Sequence, residues 1–161
     1  MVSATLPAAT ARQDSDSKTR LRLWIRLLRA SRLIEGVARE RLKSQFNATL
    51  PRFDVMAALY RKPEGMLMSE ISRFLMVSNG NVTGVVSRLI EDAWVTRTVD
   101  REDRRSATVR LTRKGRESFL KMAAANERWM DGMFADLTDD QIEDLMGLLT
   151  HVRLSLDAHP L

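Results

Sequence analysis

The chain has 161 residues, of which 44% are apolar, and it carries a formal net charge of +5 and no cysteine. This length and apolar share suffice for one folded domain, and the absence of cysteine excludes disulfides, zinc–thiolate sites and thiol redox sensing. The two histidines, His151 and His159, form no metal-ligand pattern, so we expect no metal. No apolar run reaches the ~18–20 residues that cross a bilayer, so we expect a cytoplasmic protein without a membrane partner.

The first predicted element is a long helix over residues 20–46, preceded by a disordered leader over residues 1–18. Apolar residues recur at three- and four-residue spacing along this helix, and no proline interrupts them. Its wide apolar side is typical of a helix that packs against another chain. Thr49 and Pro51 then form a start signal for a second helix, with the Thr49 hydroxyl as a cap and the proline in the first turn.

A helix-turn-helix pattern follows in the middle of the chain. Ser69 caps a short helix over residues 70–75, and Ser78 caps a second helix with apolar residues on one face. Two runs rich in β-branched residues, 94–99 and 106–111, predict a pair of strands around a charged hairpin tip.

Two further helices complete the chain. Thr112 caps the first of them, and Thr138 with Gln141 forms a capping box at the start of the second. The element order is four helices, two strands and two helices, which predicts a mainly α fold built around a winged helix-turn-helix. The terminal helices have more apolar surface than one small domain needs.

The distribution of charge favours a polyanionic partner. Lysine and arginine dominate residues 18–43 and 97–116, whereas acids dominate residues 131–157. The second basic stretch coincides with the predicted hairpin beside the helix-turn-helix.

The start of the second helix of the helix-turn-helix carries residue types that read base edges in the major groove. Asparagine pairs bidentately with adenine, a threonine methyl contacts the thymine methyl, and glycine lets the backbone approach closely. The predicted DNA contacts on this helix are Ser78, Asn79, Gly80, Asn81, Thr83, Ser87 and Arg88. Ser78 alone is also explained as a helix cap, and the last two residues suit phosphate contact.

The charged hairpin tip predicts a contact with the minor groove. An arginine there can enter the concentrated phosphate potential of that groove, and neighbouring acids order guanidinium groups by charge-assisted hydrogen bonds. The candidates are Arg101, Arg104 and Arg105, with Asp103 as an orienting residue. The alternative is a charged hairpin that contacts nothing.

Together these segments resemble the MarR family of transcriptional regulators. The likeness covers about residues 20–156 and rests on the ordered segments 50–59, 77–83, 103–106 and 111–115. The family's wing often reads Asp-x-Arg-Asp-x-Arg. Here Asp100, Asp103 and Arg105 match, whereas Glu102 stands where the first arginine is usual. The resemblance implies that Arg105 enters the minor groove and that Asp103 orients it.

The resemblance also implies a homodimer that reads a pseudo-palindrome in double-stranded DNA, with half-sites about 10 base pairs apart. In this interpretation residues 19–157 form a single domain. The winged helix-turn-helix spans about residues 50–112, and the dimerisation helices span about 19–46 and 113–157.

The predicted function is a ligand-responsive transcriptional regulator, acting as a repressor. The alternatives are an architectural DNA-binding protein without an effector and a winged-helix module that binds other proteins. No enzyme is predicted, because the sequence contains no nucleophile–base pair, no metal set and no glycine-rich phosphate loop. No cofactor is expected beyond a small-molecule effector.

The first two predicted helices contain a candidate effector site. Its apolar lining would come from Trp24, Leu28, Phe53 and Met56, and its charge from Arg22, Arg26, Arg29 and Arg32. Several arginines suit the phosphates of an acyl-coenzyme A thioester. Residues 23–59 also resemble the family branch that controls aromatic acid catabolism, which implies an aromatic acyl-coenzyme A inducer. A free aromatic carboxylate or phenol is the alternative ligand. Ordinary core packing is the alternative role of the apolar residues, and a solvated face or a second DNA contact is that of the arginines.

Overall fold

The computed structural model describes residues 8–99 and 107–159, with the backbone alone for residues 8–16 and 79. The elements in chain order are α1 (Ala8–Phe46), α2 (Leu50–Tyr60), β1 (Met66–Leu67), α3 (Met68–Leu75), α4 (Asn79–Glu91), β2 (Val95–Val99), β3 (Ala107–Leu111), α5 (Arg113–Phe134) and α6 (Asp139–Ala158). The chain divides into two units, Met1–Met122 and Ala123–Leu161. This order confirms the mainly helical winged helix-turn-helix.

Helix α1 begins earlier than the sequence pattern predicted. It starts at Ala8, so residues 8–18 are helical and the prediction of a disordered leader was wrong for them. The segment contains three alanines and no glycine or proline, and such residues favour a helix even without an apolar stripe. The leader prediction for residues 1–7 lies outside the described residues.

The strands form a three-stranded antiparallel sheet in the order β1-β3-β2. β2 and β3 pair from Val95 opposite Leu111 to Val99 opposite Ala107, as a hairpin requires. β1, which the sequence analysis did not predict, adds Met66 opposite Val109. Two residues are too few for an alternating pattern to be recognised.

The core of the first unit joins the helix-turn-helix to the sheet. Its fully buried side chains include Leu42, Met56, Leu59, Ile71, Val82, Leu89 and Val109. Each such side chain stabilises the fold by roughly 1.5–3 kcal/mol relative to exposure. Because these residues come from α1, α2, α3, α4 and β3, the position of α4 is set by packing on several sides.

The second unit contains the end of α5 and all of α6. Thr138 Oγ1 accepts from the Gln141 N–H at 3.3 Å, and the Gln141 side chain accepts from the Thr138 N–H at 3.0 Å. The predicted capping box is therefore confirmed. No residue of α6 is buried, and its exposed apolar residues are Leu145, Met146, Leu148, Leu149, Val152, Leu154 and Leu156.

Exposed apolar side chains also lie on α1. Leu21, Trp24 and Leu33 are 56%, 55% and 73% exposed, respectively. Within residues 8–99 and 107–159, every helix is too short or too polar to span a membrane.

Candidate nucleic-acid interface

Helix α4 has one buried face and one exposed polar face. Val82, Val86 and Leu89 are at most 2% exposed, and they anchor the helix to the core. The predicted DNA contacts Gly80, Asn81, Thr83, Ser87 and Arg88 are all exposed. Asn79 begins the helix, and its side chain is outside the described atoms. The exposed face of α4 therefore presents the polar groups that a recognition helix needs.

The two glycines near the start of α4 are not required by packing. A Cβ added to Gly80 or Gly84 would meet no atom within 4 Å. Glycine inside a helix lowers stability by roughly 0.5–1 kcal/mol relative to alanine. Glycine at these two positions therefore lowers the stability of the helix, and no contact within the chain requires it. The missing side chains leave room for the backbone of another molecule to approach α4 closely.

Ser78 occupies the N-cap of α4, but its side chain makes no capping hydrogen bond. Thr49 likewise occupies the N-cap of α2 without a side-chain bond. The prediction that these hydroxyls cap their helices was therefore wrong. Both residues have the extended backbone that is usual at an N-cap. The helix therefore begins where predicted, although the hydroxyl does not bond its first turn. The short α3 begins at Met68 instead, one residue before the predicted Ser69 cap, and the Glu70 carboxylate accepts from the Leu67 N–H at 2.8 Å.

The β2–β3 hairpin supports the predicted wing up to its last paired residues. Val95, Ala107 and Val109 are buried, whereas the remaining residues of β2 are exposed. The predicted contacts at the tip, Arg101, Asp103, Arg104 and Arg105, lie outside the described residues. The last described pair of the two strands is Val99 opposite Ala107.

Arg52 on α2 links the end of α4 to the start of β2. Its guanidinium forms an ion pair with Asp92, and its Cζ lies 4.6 Å from the centre of the Trp94 ring. The side chain is only 12% exposed, and burial, followed by repulsion from Arg88, lowers the pKa of Arg52. A buried arginine that pairs and stacks at once fixes both partners, because its planar fork loses little freedom on binding.

The start of α5 also contacts the segment between α4 and β2. Thr112 Oγ1 accepts from the Gly115 N–H at 2.9 Å, which confirms the predicted cap, and donates to the Ala93 carbonyl at 2.8 Å. Lys114 Nζ donates to the Asp92 carbonyl at 2.9 Å. The segment that connects the end of α4 to the start of β2 is therefore held by both α2 and α5.

A cavity of about 310 Å³ lies beside the first half of α4. It is lined by Pro51, Asp54, Val55, Leu75, Val77, Asn81, Val82 and Val85. Asp54 is half-buried in its wall. Burial, with a smaller contribution from Glu35, raises the pKa of Asp54 to about 6.

The predicted effector residues are found in different environments. Arg22, Arg26, Arg29 and Arg32 are exposed on α1, where Trp24 is exposed and Leu28 is half-buried. Met56 is completely buried, and the Phe53 ring lies 5.5 Å from that of Phe119. Met56 therefore belongs to the core, which was one of the alternatives that the sequence left open.

Sequence reasoning missed Arg52 and Asp54 as contributors to this region. Both lie on α2, and neither was predicted as a site residue. Arg52 meets Asp92 from 40 residues away, and no local spacing encodes such a contact. The tryptophan that follows α4 is the only sequence feature near the junction that hints at a stacking partner.

Comparison with known proteins finds transcriptional regulators. A family model described as MarR family matches residues 46–106. The transcriptional activatory protein BadR of Rhodopseudomonas palustris is 30% identical over 147 residues, which cover 89% of this chain and 82% of that protein.

Solved structures with the same fold include the following two. A MarR family transcriptional regulator from Silicibacter pomeroyi has 31% identity and a TM-score of 0.74, covering 88% of this chain and 97% of that one. The organohalide-sensing regulator RdhR-CbdbA1625, in its 2,4-dichlorophenol-bound form, has 22% identity and a TM-score of 0.75, covering 85% and 80%.

Proposed function

Because the chain belongs to the MarR family of DNA-binding transcriptional regulators, we propose that it reads its operator with α4 in the major groove and the β2–β3 wing in the minor groove. The observation that carries this proposal is the division of α4 into a buried apolar face and an exposed polar face. The proposed base-reading residues are Ser78, Asn79, Gly80, Asn81 and Thr83, with Ser87 and Arg88 on phosphates.

The experiment that tests this proposal replaces Gly84 by alanine. Because the added Cβ has open space within the chain, the variant is expected to gain roughly 0.5–1 kcal/mol of stability. The same methyl group would stand between α4 and DNA, so affinity for a duplex from the chain's own promoter should fall roughly tenfold, as for one lost contact. Denaturant titration and fluorescence anisotropy measure the two effects.

Gly36→Ala is the matched control, because Gly36 also has open space but lies on α1. It should gain stability without a change in DNA affinity. A Gly84→Ala protein that keeps full affinity would show that α4 does not face DNA as proposed.

The proposed regulator is a homodimer joined by α1, α5 and α6. The support is the exposed apolar surface of α1 and α6, which is large for a monomer. A two-fold dimer would present two α4 helices to half-sites one helical turn apart. A monomer at micromolar concentration in analytical ultracentrifugation would contradict this arrangement.

We further propose an aromatic acyl-coenzyme A thioester, or a free aromatic carboxylate, as the effector. The support is the exposed arginines of α1 and the aromatic ligand named for the related fold of RdhR-CbdbA1625. The proposed contacts are Arg22, Arg26, Arg29 and Arg32, beside Trp24, Leu28 and the edge of Phe53. A loss of operator affinity on adding one such compound would exclude an architectural role.

Replacing Arg26 and Arg29 together by alanine should abolish the response to cinnamoyl-coenzyme A, because both guanidinium groups would pair with its phosphates. Operator affinity without the effector should change less than about threefold. Calorimetry with the thioester and anisotropy with the duplex separate the two effects. The charge-matched control replaces two exposed arginines elsewhere, Arg128 on α5 and Arg153 on α6, together by alanine. Unchanged binding of the thioester would contradict this site, and a loss of DNA affinity instead would favour a second DNA contact.

Repression is the proposed outcome of operator binding. The relative BadR is described as an activatory protein, which makes activation the competing outcome. A transcript that rises when the gene is deleted supports repression, and one that falls supports activation.

A further inference from the structure

The cavity beside α4 has an unusual combination of apolar walls and one acid. Val55 and Val82 form its buried floor, and Val85 and Leu75 are half-buried. Asp54 is the only ionisable side chain among the described residues that line it. Its size is at the lower end of small-molecule pockets, enough for one aromatic ring with a short side chain.

The electrostatics of this cavity disfavour an anion. Beside burial, the carboxylate of Glu35 on α1 raises the pKa of Asp54 further. Glu35 itself lies 3.5 Å from the guanidinium of Arg39, whereas no described basic side chain forms an ion pair with Asp54. At pH 7.5 a carboxyl group with a pKa of about 6 is ionised, so the cavity contains a half-buried negative charge that has no ion-pair partner in the part of the chain that the structure describes.

We propose that this cavity binds a small organic cation, an apolar ring bearing a protonated amine, whose ammonium group pairs with Asp54. The apolar body would fill the space between α2 and α4, where it removes apolar surface from water. The ammonium group would form the ion pair that no described side chain forms with Asp54. This ligand differs in charge from the proposed effector on α1, and its site lies within the winged helix-turn-helix.

Binding in this cavity acts directly on the recognition helix. Asn81, Val82 and Val85 are all residues of α4, and Asn81 is also a proposed base-reading residue. A ligand that engages Asn81 or moves the start of α4 must bind the DNA-free form more tightly than the DNA-bound form. By reciprocity it lowers operator affinity by the same factor. This regulatory consequence rests on the proposed function, whereas binding itself does not.

Three compounds of nearly equal shape test the charge preference: 2-phenylethylamine, 2-phenylethanol and phenylacetate. With the full chain at pH 7.5 and no DNA, isothermal calorimetry should give an affinity at least tenfold higher for the amine than for the alcohol. Phenylacetate should bind more weakly still. Lowering the pH to 5 protonates Asp54 and should weaken binding of the amine about tenfold, given a pKa of about 6, while the alcohol is unaffected.

Asp54→Asn is the decisive variant, because it keeps the shape of the wall and removes the charge. It should equalise the affinities for the amine and the alcohol. Glu91→Gln, an equal change of charge at the exposed end of α4, should leave the preference intact. A saturating concentration of the amine should weaken binding of the promoter duplex at least fivefold in the wild type and leave Asp54→Asn unaffected.

Three results would overturn the proposed site. They are binding of phenylacetate as tight as that of the amine or tighter, no binding of any of the three compounds, and an unchanged preference for the amine over the alcohol in Asp54→Asn. Binding of the amine without an effect on DNA affinity overturns its regulatory role. A chain that never binds the duplex contradicts the proposed function alone, since the calorimetric comparison contains no DNA.

Discussion

Replacing Gly115 by alanine is expected to lower the free energy of unfolding by about 3 kcal/mol, the upper end of the usual cost of overpacking. An added Cβ would lie 1.9 Å from the carbonyl oxygen of Trp94. That carbonyl cannot easily move, because it accepts a hydrogen bond from the Thr112 N–H at 3.0 Å and the Trp94 ring is stacked on Arg52. The first turn of α5 must therefore shift away from β2.

Urea denaturation measures this loss, and Gly132→Ala on the same helix is the matched control. Gly132 has no atom within 4 Å of an added Cβ, so alanine there should stabilise the chain by up to about 1 kcal/mol. A Gly115→Ala protein within 0.5 kcal/mol of the wild type, the ordinary range of surface substitutions, would contradict the close contact between α5 and β2.

The second large effect is expected at the wing. Arg105→Ala should weaken binding to the promoter duplex by about 1–3 kcal/mol, or roughly ten- to a hundredfold. The reason is that the variant would lose the guanidinium group proposed to enter the minor groove, where the negative potential is concentrated. The dependence of the binding constant on salt concentration should also become shallower by about one counterion. Fluorescence anisotropy at several salt concentrations measures both quantities.

Arg128→Ala is a control of equal charge, because Arg128 is exposed on α5 and far in sequence from the wing. It should change operator affinity only slightly. If the two variants bind equally well, general charge rather than a specific wing contact accounts for the role of Arg105. Asp103→Asn should give an intermediate loss if that acid orients the arginine.

The sequence predicted the order of the main elements because each of them carries a local signal. The apolar spacing of α4 and the β-branched runs of β2 and β3 lie within the residues that form each element. Thr112 and Thr138 were correctly predicted as caps, since each has its hydrogen-bond partner three residues on. Ser78 and Thr49 are also of types that favour N-caps, and they occupy N-cap positions, but their side chains make no capping hydrogen bond. Ser69, which was also predicted as a cap, lies inside α3, so residue type alone fixes neither the cap position nor the cap bond.

Contacts between distant segments could not be predicted in this way. The sequence presents Arg52 and Asp54 as two charged residues on an ordinary helix, one on either side of Phe53. Only the fold brings Arg52 to Asp92 and Trp94 and encloses Asp54 beside α4. The exposed face of α4 was predictable because the apolar residues of the opposite, buried face recur at helical spacing.

The two faces of α4 also bear on how this regulator can diverge. Val82, Val86 and Leu89 carry the packing of the helix, whereas Asn81, Ser87 and their exposed neighbours add little to it. Exchanges at exposed positions usually alter stability by less than about 0.5 kcal/mol. If α4 reads DNA as proposed, descendants of this chain can therefore acquire new target sequences through changes on the outer face of α4 while their thermal tolerance stays nearly constant.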